Sequence, residues 1–327
     1  MSVDLFGTLP DGRTVDRITI AAGDMEAAVL TWGATVQDLR VGDQRVVLGA
    51  DHLDTYLGDL LYAGAIVGRF ANRIGNARFS LGSKTYHTDA NFRDRHSLHG
   101  GKGGTGELLW TLAEHGADFA RLRLVLPDGD MGFPGEMTVD ATYRIEAPAT
   151  LRVDITAQST KATPCSFAHH GYFVLDDSGD ILGHQLQIEA DHYLPVDADL
   201  IPTGQIAPVA QTDFDFRRAR PVGGADYDHN FCLRGKATAL RDVARLTSGT
   251  GGLSLTVATV EPGLQVYDGA HLGGATGHAG GRLRSNAGLA LETQAWPDSP
   301  NRPEFPPCIL QPGETYKTET HYRFERS

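Results

Sequence analysis

Apolar side chains recur at every second residue over long stretches of this chain. Met137, Val139, Ala141, Tyr143 and Ile145 alternate with Thr138, Asp140, Thr142, Arg144 and Glu146. Leu151, Val153, Ile155 and Ala157 alternate with polar residues, as do Tyr316, Thr318, Thr320, Tyr322 and Phe324. A period of two belongs to a strand with one face in a core and one in water. The link 146–150 reads as a hairpin connection. Further strands are expected at 14–20, 25–31, 35–41, 121–126, 181–189, 253–260 and 287–294. Gly, Pro and Asp clusters such as 127–136 and 247–252 mark the turns between them. Long amphipathic helical patterns are nearly absent, and 51–62 has room for a helical turn or two. No solenoid period or low-complexity linker interrupts the chain. The pattern predicts an all-β protein, a large antiparallel β-sandwich of two or more sheet layers, folded as a single domain over 1–327. Length alone would suggest two domains, but large all-β sandwiches absorb long chains.

Lysine and arginine number 29 against 41 aspartates and glutamates, a formal net charge of −12. Such a chain should repel phosphate backbones and anionic membranes, so no nucleic acid or membrane partner is expected and a neutral ligand suits it. Three cysteines, Cys165, Cys232 and Cys308, form no disulfide framework or Cys-x-x-Cys motif. The N-terminal residues show no basic stretch followed by an apolar run, and no segment reaches the roughly 20 apolar residues of a membrane span. A cytoplasmic location is the natural expectation.

Several motifs mislead. Residues 101–106 match Gly-x-Gly-x-x-Gly, but that fingerprint needs a preceding strand and a following helix in a βαβ unit. A ligand-adjacent loop fits better. His169 and His170 are neighbours on an expected strand, so they point to opposite faces and cannot readily share a metal ion. No Gly-x-Ser-x-Gly elbow marks a serine hydrolase. Trp110 and Trp296 read as packing residues rather than sugar-stacking ones.

Four segments mix Gly or Pro with His, Asp, Glu, Asn or Arg, as functional loops do: GRFANRI (68–74), HSLHGG (96–101), YDHNF (227–231) and LETQAWPDSPNRPEFPPCILQPGETY (291–316). With TPCSFAHHGYF (163–173) and EPGLQVYDG (261–269), they resemble the galactose mutarotase (aldose 1-epimerase) family, in the family's order and from about residue 5 to about residue 325. The resemblance implies a supersandwich with an open sugar cleft, no metal and no cofactor. It implies that Glu292 is the general base and His170 the general acid, and that His99 contacts the substrate and helps polarise the ring oxygen. Asn72 and Arg73, Tyr172, Asp228 and Gln265 are implied to bind the sugar. A small-molecule sugar is the expected partner, on a monomer or homodimer.

The chemistry agrees with that assignment. Mutarotation takes a proton from the anomeric hydroxyl and gives one to the ring oxygen, so one base and one acid suffice. Glutamate and histidine have free pKa values of about 4.3 and 6.5, which burial can tune. In this scheme Glu292 is ionised while His170 is protonated. Two features depart from the family pattern. His169 and His96 stand where asparagine is frequent, which bears on substrate preference and on which of His169 and His170 faces the cleft. A hexose-6-phosphate epimerase should present an arginine cluster, against which the acidic balance argues. A non-catalytic sugar binder would have no need of the acid–base pair.

Overall fold

The computed structural model describes residues 2–326. Its backbone is dominated by antiparallel sheets, and the longest α-helix is the four-residue Leu53–Tyr56 within the expected 51–62 segment. No helix among the described residues is long and apolar enough to cross a membrane.

The strongest alternating segments build the largest sheet. Met137–Glu146 pairs with Thr150–Ser159 in unbroken register, and Thr150–Ser159 pairs with Tyr316–Arg326. Thr111–His115 and Phe119–Leu126 on one side, and Leu253–Thr259, Arg241–Thr247, Gln185–Ile188 and Arg220–Pro221 on the other, extend this sheet to nine strands. Ala141, Tyr143, Val153, Ile155 and Tyr322 share its inner face and are buried. The outer face carries the polar alternates, with ion pairs such as Arg123–Asp140 and Arg152–Asp154.

Two smaller sheets cover that inner face. A five-stranded sheet, from Ser2–Thr8 to Gln44–Arg45, packs Ile18, Ile20 and Val29 into one core with Leu122, Val139 and Ala141. A six-stranded sheet holds Tyr172–Phe173, Leu289–Gln294, Gly263–Tyr267, Asp228–Leu233, Ala190–Tyr193 and Ala207–Pro208, in that order. Its Leu264, Val266, Leu289 and Leu291 join Leu255, Val257, Tyr322 and Phe324 in the same core. Thr293 Oγ1 and Thr320 Oγ1 lie 2.6 Å apart between the two sheets. The architecture is the expected all-β antiparallel sandwich.

The expected 181–189 strand shortens to Gln185–Ile188. Its first residues turn instead: His184 N–H donates to Ile181 O, and His184 Nε2 accepts the Leu175 amide. Alternation also fails in Leu253–Thr259 and Leu289–Gln294, where every residue is buried. For Leu289–Gln294 the reason is positional. One face meets the nine-stranded sheet, and the other lies beneath the loops that form a cleft.

Candidate active site

Strand register lays out the floor of that cleft. Asn230 stands opposite Gln265, and Gln265 opposite Glu292. Two residues along, Asp228 stands opposite Tyr267, Tyr267 opposite Ala290, and Ala290 opposite Tyr172. Directly opposed residues project on the same face, so both rows point away from the nine-stranded sheet. Ala290 is the small member, and over it the Tyr172 and Tyr267 rings approach to 6.1 Å between centroids. His170 precedes Tyr172 by two residues. Its backbone is held at both ends, N–H to Ala65 O and C=O from Gly64 N–H.

His99 comes from the HSLHGG loop, which docks on the GRFANRI loop. His99 N–H donates to Asn72 O at 3.0 Å, and Asn72 N–H donates to His99 Nδ1 at 3.1 Å. Both residues are left-handed, with φ of 51° and 65°, a conformation that Asn and His tolerate better than most side chains. Gly100, with φ +91°, makes the crossing possible: a Cβ there would lie 2.1 Å from Gly68 O.

These elements enclose a cleft of about 530 Å³, lined by Asn72, Arg73, His99, His170, Tyr172, Asp228 and Glu292 among others. His170 Nε2 lies 3.5 Å from Glu292 Oε1. The His99 and His170 rings meet edge to face at 5.3 Å. Arg73 Nη2 donates to Asp228 Oδ2 at 2.9 Å, and Gln265 Nε2 donates to Asp228 Oδ1 at 2.6 Å. The Arg73 guanidinium also sits 4.7 Å above the Phe92 ring.

Burial decides the ionisation of this group. It pushes the Glu292 carboxyl up to about 8, reinforced by the nearby Asp228 charge and opposed by Arg73. It pushes His170 down to about 4, against the pull of Asp228. His99 falls well below its usual range through burial, with His170 and Arg73 adding to the effect. Burial also opposes the Asp228 charge, but Arg73 and Gln265 outweigh it and hold that carboxyl below its ordinary value. The free site therefore differs from the sequence expectation. At neutral pH its one proton rests on Glu292 and His170 is uncharged, because two opposite charges are costly to hold in a buried site without a ligand.

The donor atoms of His99, His170 and Glu292 lie within 4.8 Å of one another, close enough to raise a metal. Their hydrogen bonding suits one poorly. Metal-bound histidines donate their second ring N–H to an acceptor. His99 Nδ1 instead accepts the Asn72 amide, which leaves the proton on Nε2, and His170 Nδ1 has no partner.

The sequence model for aldose 1-epimerase matches residues 16–323. The chain is 41% identical to the galactose mutarotase of Mus musculus over 338 residues, covering 98% of this chain and 97% of that protein. It is 35% identical to the aldose 1-epimerase of Escherichia coli, covering 96% of each. The chain belongs to the aldose 1-epimerase family. Its fold superposes on an aldose epimerase homologue from C. elegans with a TM-score of 0.89, at 30% identity, covering 95% of this chain and 98% of that one. A galactose 1-epimerase from Lactobacillus acidophilus gives 0.87 at 27% identity, covering 100% and 98%.

Seven of the eight residues singled out from the family's motifs line the cleft. The exception is Gln265, which is buried beneath the floor and reaches the site through Asp228. The His169 question resolves as strand alternation predicts. His170 faces the cleft, while His169 lies behind it among Tyr143, Phe173 and Tyr322, with its Nδ1 3.4 Å from Tyr322 Oη. His96 is buried beside Asp199 and accepts the Asn76 amide. Trp110 is buried and donates to Thr105 O, and the half-buried Trp296 packs against Phe305 and donates to Pro262 O. No residue of the 101–106 loop lines the cleft; the loop packs on the GRFANRI segment, with Thr105 N–H bonded to Gly68 O.

Sequence reading missed Tyr62, Phe92 and Tyr267, which also line the cleft. Tyr267 was within reach, because it shares a strand face with Gln265. Tyr62 and Phe92 come from irregular loops and carry no periodic signal. Tyr62 packs 4.9 Å from the His99 ring, and its hydroxyl donates to Glu107.

Proposed function

We propose that this protein is an aldose 1-epimerase that interconverts the α and β anomers of free aldoses such as glucose or galactose. The observation that carries the reading is the 3.5 Å contact between Glu292 and His170 at the base of the cleft. Arg73, Asp228 and Asn72 bind hydroxyls; Asn72 Oδ1 already accepts the Arg73 amide, so its NH₂ is the group on offer. Tyr172 flanks the ring, and Gln265 holds Asp228. His99, neutral with its proton on Nε2, donates to the ring oxygen.

The pair carries a single proton through the cycle. Glu292 as carboxylate takes the proton of the anomeric hydroxyl, and His170 as imidazolium protonates the ring oxygen. The bond from C1 to the ring oxygen breaks and a C1 carbonyl forms. The pair is then neutral, which is the state burial favours in the empty site. The C1–C2 bond rotates. His170 removes the proton from the new hydroxyl, which attacks the other face of C1 as Glu292 protonates the carbonyl oxygen. That step restores the ion pair. Asp228 favours the charged His170 but disfavours the charged Glu292, and Arg73 does the reverse, so the polar flank shifts both groups in the same direction and does not by itself select the ion pair that accompanies the closed ring.

A phosphorylated sugar suits this cleft less well. Its two arginines, Arg73 and Arg93, are each paired with a carboxylate, Asp228 and Asp199. Polarimetry on freshly dissolved α-D-glucose and α-D-galactose should show accelerated decay at micromolar protein, and glucose 6-phosphate should be turned over far more slowly. A decay no faster than buffer would overturn the enzyme reading.

The pH profile follows from the shared proton. Below about 4 His170 gains a proton and the pair has no base; above about 8 Glu292 loses its own and the pair has no acid. The plot of kcat/KM against pH should be a broad bell whose limbs report the free pair as a unit. A rate still rising steadily at pH 9 or 10 would contradict one shared proton.

A further inference from the structure

The resemblance gives Glu292 of LETQAWPD a role but leaves the rest of that motif unexplained. Asp298, its last residue, is 3% exposed and left-handed, with φ 61°. Its backbone N–H donates to Arg73 O at 2.9 Å. Its Oδ1 accepts the Gly75 amide at 2.8 Å. One residue thus grips the backbone on both sides of Ile74, immediately after Arg73. The other carboxylate oxygen, Oδ2, meets Arg302 Nε at 3.1 Å, and Arg302 Nη2 donates to Pro202 O. Asn301 Nδ2 bridges Asp298 Oδ1 and Arg78 O. Three segments meet here: the Asn72–Arg73 loop, the chain leaving the Glu292 strand, and the loop around Leu200 and Pro202 that forms part of the cleft wall.

We infer that Asp298 is a positioning residue that sets the Arg73 guanidinium against Asp228, and through them the sugar. It touches neither the cleft nor the reacting atoms. Arg73 must approach Asp228 to 2.9 Å and the Phe92 ring to 4.7 Å at once, and its backbone lies on the two-residue strand Arg73–Ile74, which pairs with Ser97–Leu98 and has no extended sheet to hold it. A carboxylate accepting a backbone amide and pairing with a half-buried arginine is a strong, directional fixture. It couples the strand that carries the acid–base pair to the loop that carries the sugar-binding pair.

This inference rests on the proposed epimerase reading, and its test separates the two. Asp298→Ala should leave the fold intact by circular dichroism. It should raise KM for galactose about tenfold, the effect of losing roughly one charge-assisted hydrogen bond's worth of placement, with kcat changed less than about threefold. Asp298→Asn keeps an acceptor for Gly75 and should fall between wild type and alanine. Arg73→Met and the double variant complete a cycle. If Asp298 acts through Arg73, the double variant is no worse than Arg73→Met, whereas a general structural role would add a further loss. An unchanged KM, an equal fall in kcat alone, or additive losses would overturn the inference. If Asp298→Ala does not fold, Asp298→Asn and Arg302→Leu are carried through the same cycle under the same criteria. If the wild type has no epimerase activity, the epimerase reading fails by itself. Galactose affinity by calorimetry then replaces KM, and an affinity unaltered by the substitution overturns the positioning role.

Discussion

Glu292→Gln is expected to lower kcat by about 10²–10⁴-fold while leaving the fold intact. A positioned proton transfer contributes that much, and glutamine can neither accept nor release the proton the pair must carry. The shape is preserved, and the wild-type group is itself uncharged at neutral pH in the free site, so no buried ion is lost. The substitution should also alter the pH dependence of stability in a defined direction. The Glu292 pKa is about 8 when folded and near the ordinary carboxylate value of roughly 4.3 when unfolded. Between those values the unfolded chain has released a proton that the native state retains, so stability falls as pH rises. The contribution is fully present below the unfolded pKa and lost as pH climbs to about 8. Glutamine has no such loss. The Tm of Glu292→Gln should therefore gain on wild type between pH 5 and pH 8. Full activity in the variant would remove Glu292 from the mechanism, and a Tm difference constant with pH would mean that the carboxyl is not neutral in the free protein.

The adjacent residue on the same strand should give the opposite result. Leu291 is fully buried in the main core, facing the nine-stranded sheet while Glu292 faces the cleft. Leu291→Ala removes buried methyl groups and leaves a cavity, which costs about 2–5 kcal/mol. In a protein of this size that corresponds to a fall in Tm on the order of 10 °C. The acid–base pair is untouched, so kcat per folded molecule at low temperature should stay within a few fold of wild type. Denaturant unfolding and polarimetry on the same sample check both statements. A loss below about 1 kcal/mol would show that this strand face is not core. Together the two variants test whether alternation on one strand separates stability from chemistry.

That alternation explains how much of the molecule could be read in advance. Where one face is wet, as in Met137–Glu146, Thr150–Ser159 and Tyr316–Arg326, the pattern of apolar residues specifies the strand and its faces, and for the first two the short 146–150 link also gives the hairpin pairing. Where both faces are buried, as in Leu289–Gln294, the period vanishes and composition shows only a short apolar run. The candidate site lay in just such segments and in irregular loops. Its residues were legible through motif order, because chemistry demands particular side chains at particular places. Tyr62 and Phe92 had neither periodicity nor a motif.

By itself the sequence determined the class of fold, the order of its loops and the identity of the residues that can exchange protons or bind a sugar. These follow from local patterning and side-chain chemistry, which are properties of the chain. Tertiary structure decided which of those residues meet. Arg73 finds Asp228 across 155 positions of sequence, Gln265 passes beneath the floor, and Asp298 takes hold of the Arg73 backbone. It also decided where the proton rests. Ionisation in a buried site depends on the loss of water and the distance to other charges, and neither exists until strands from distant parts of the chain have packed together.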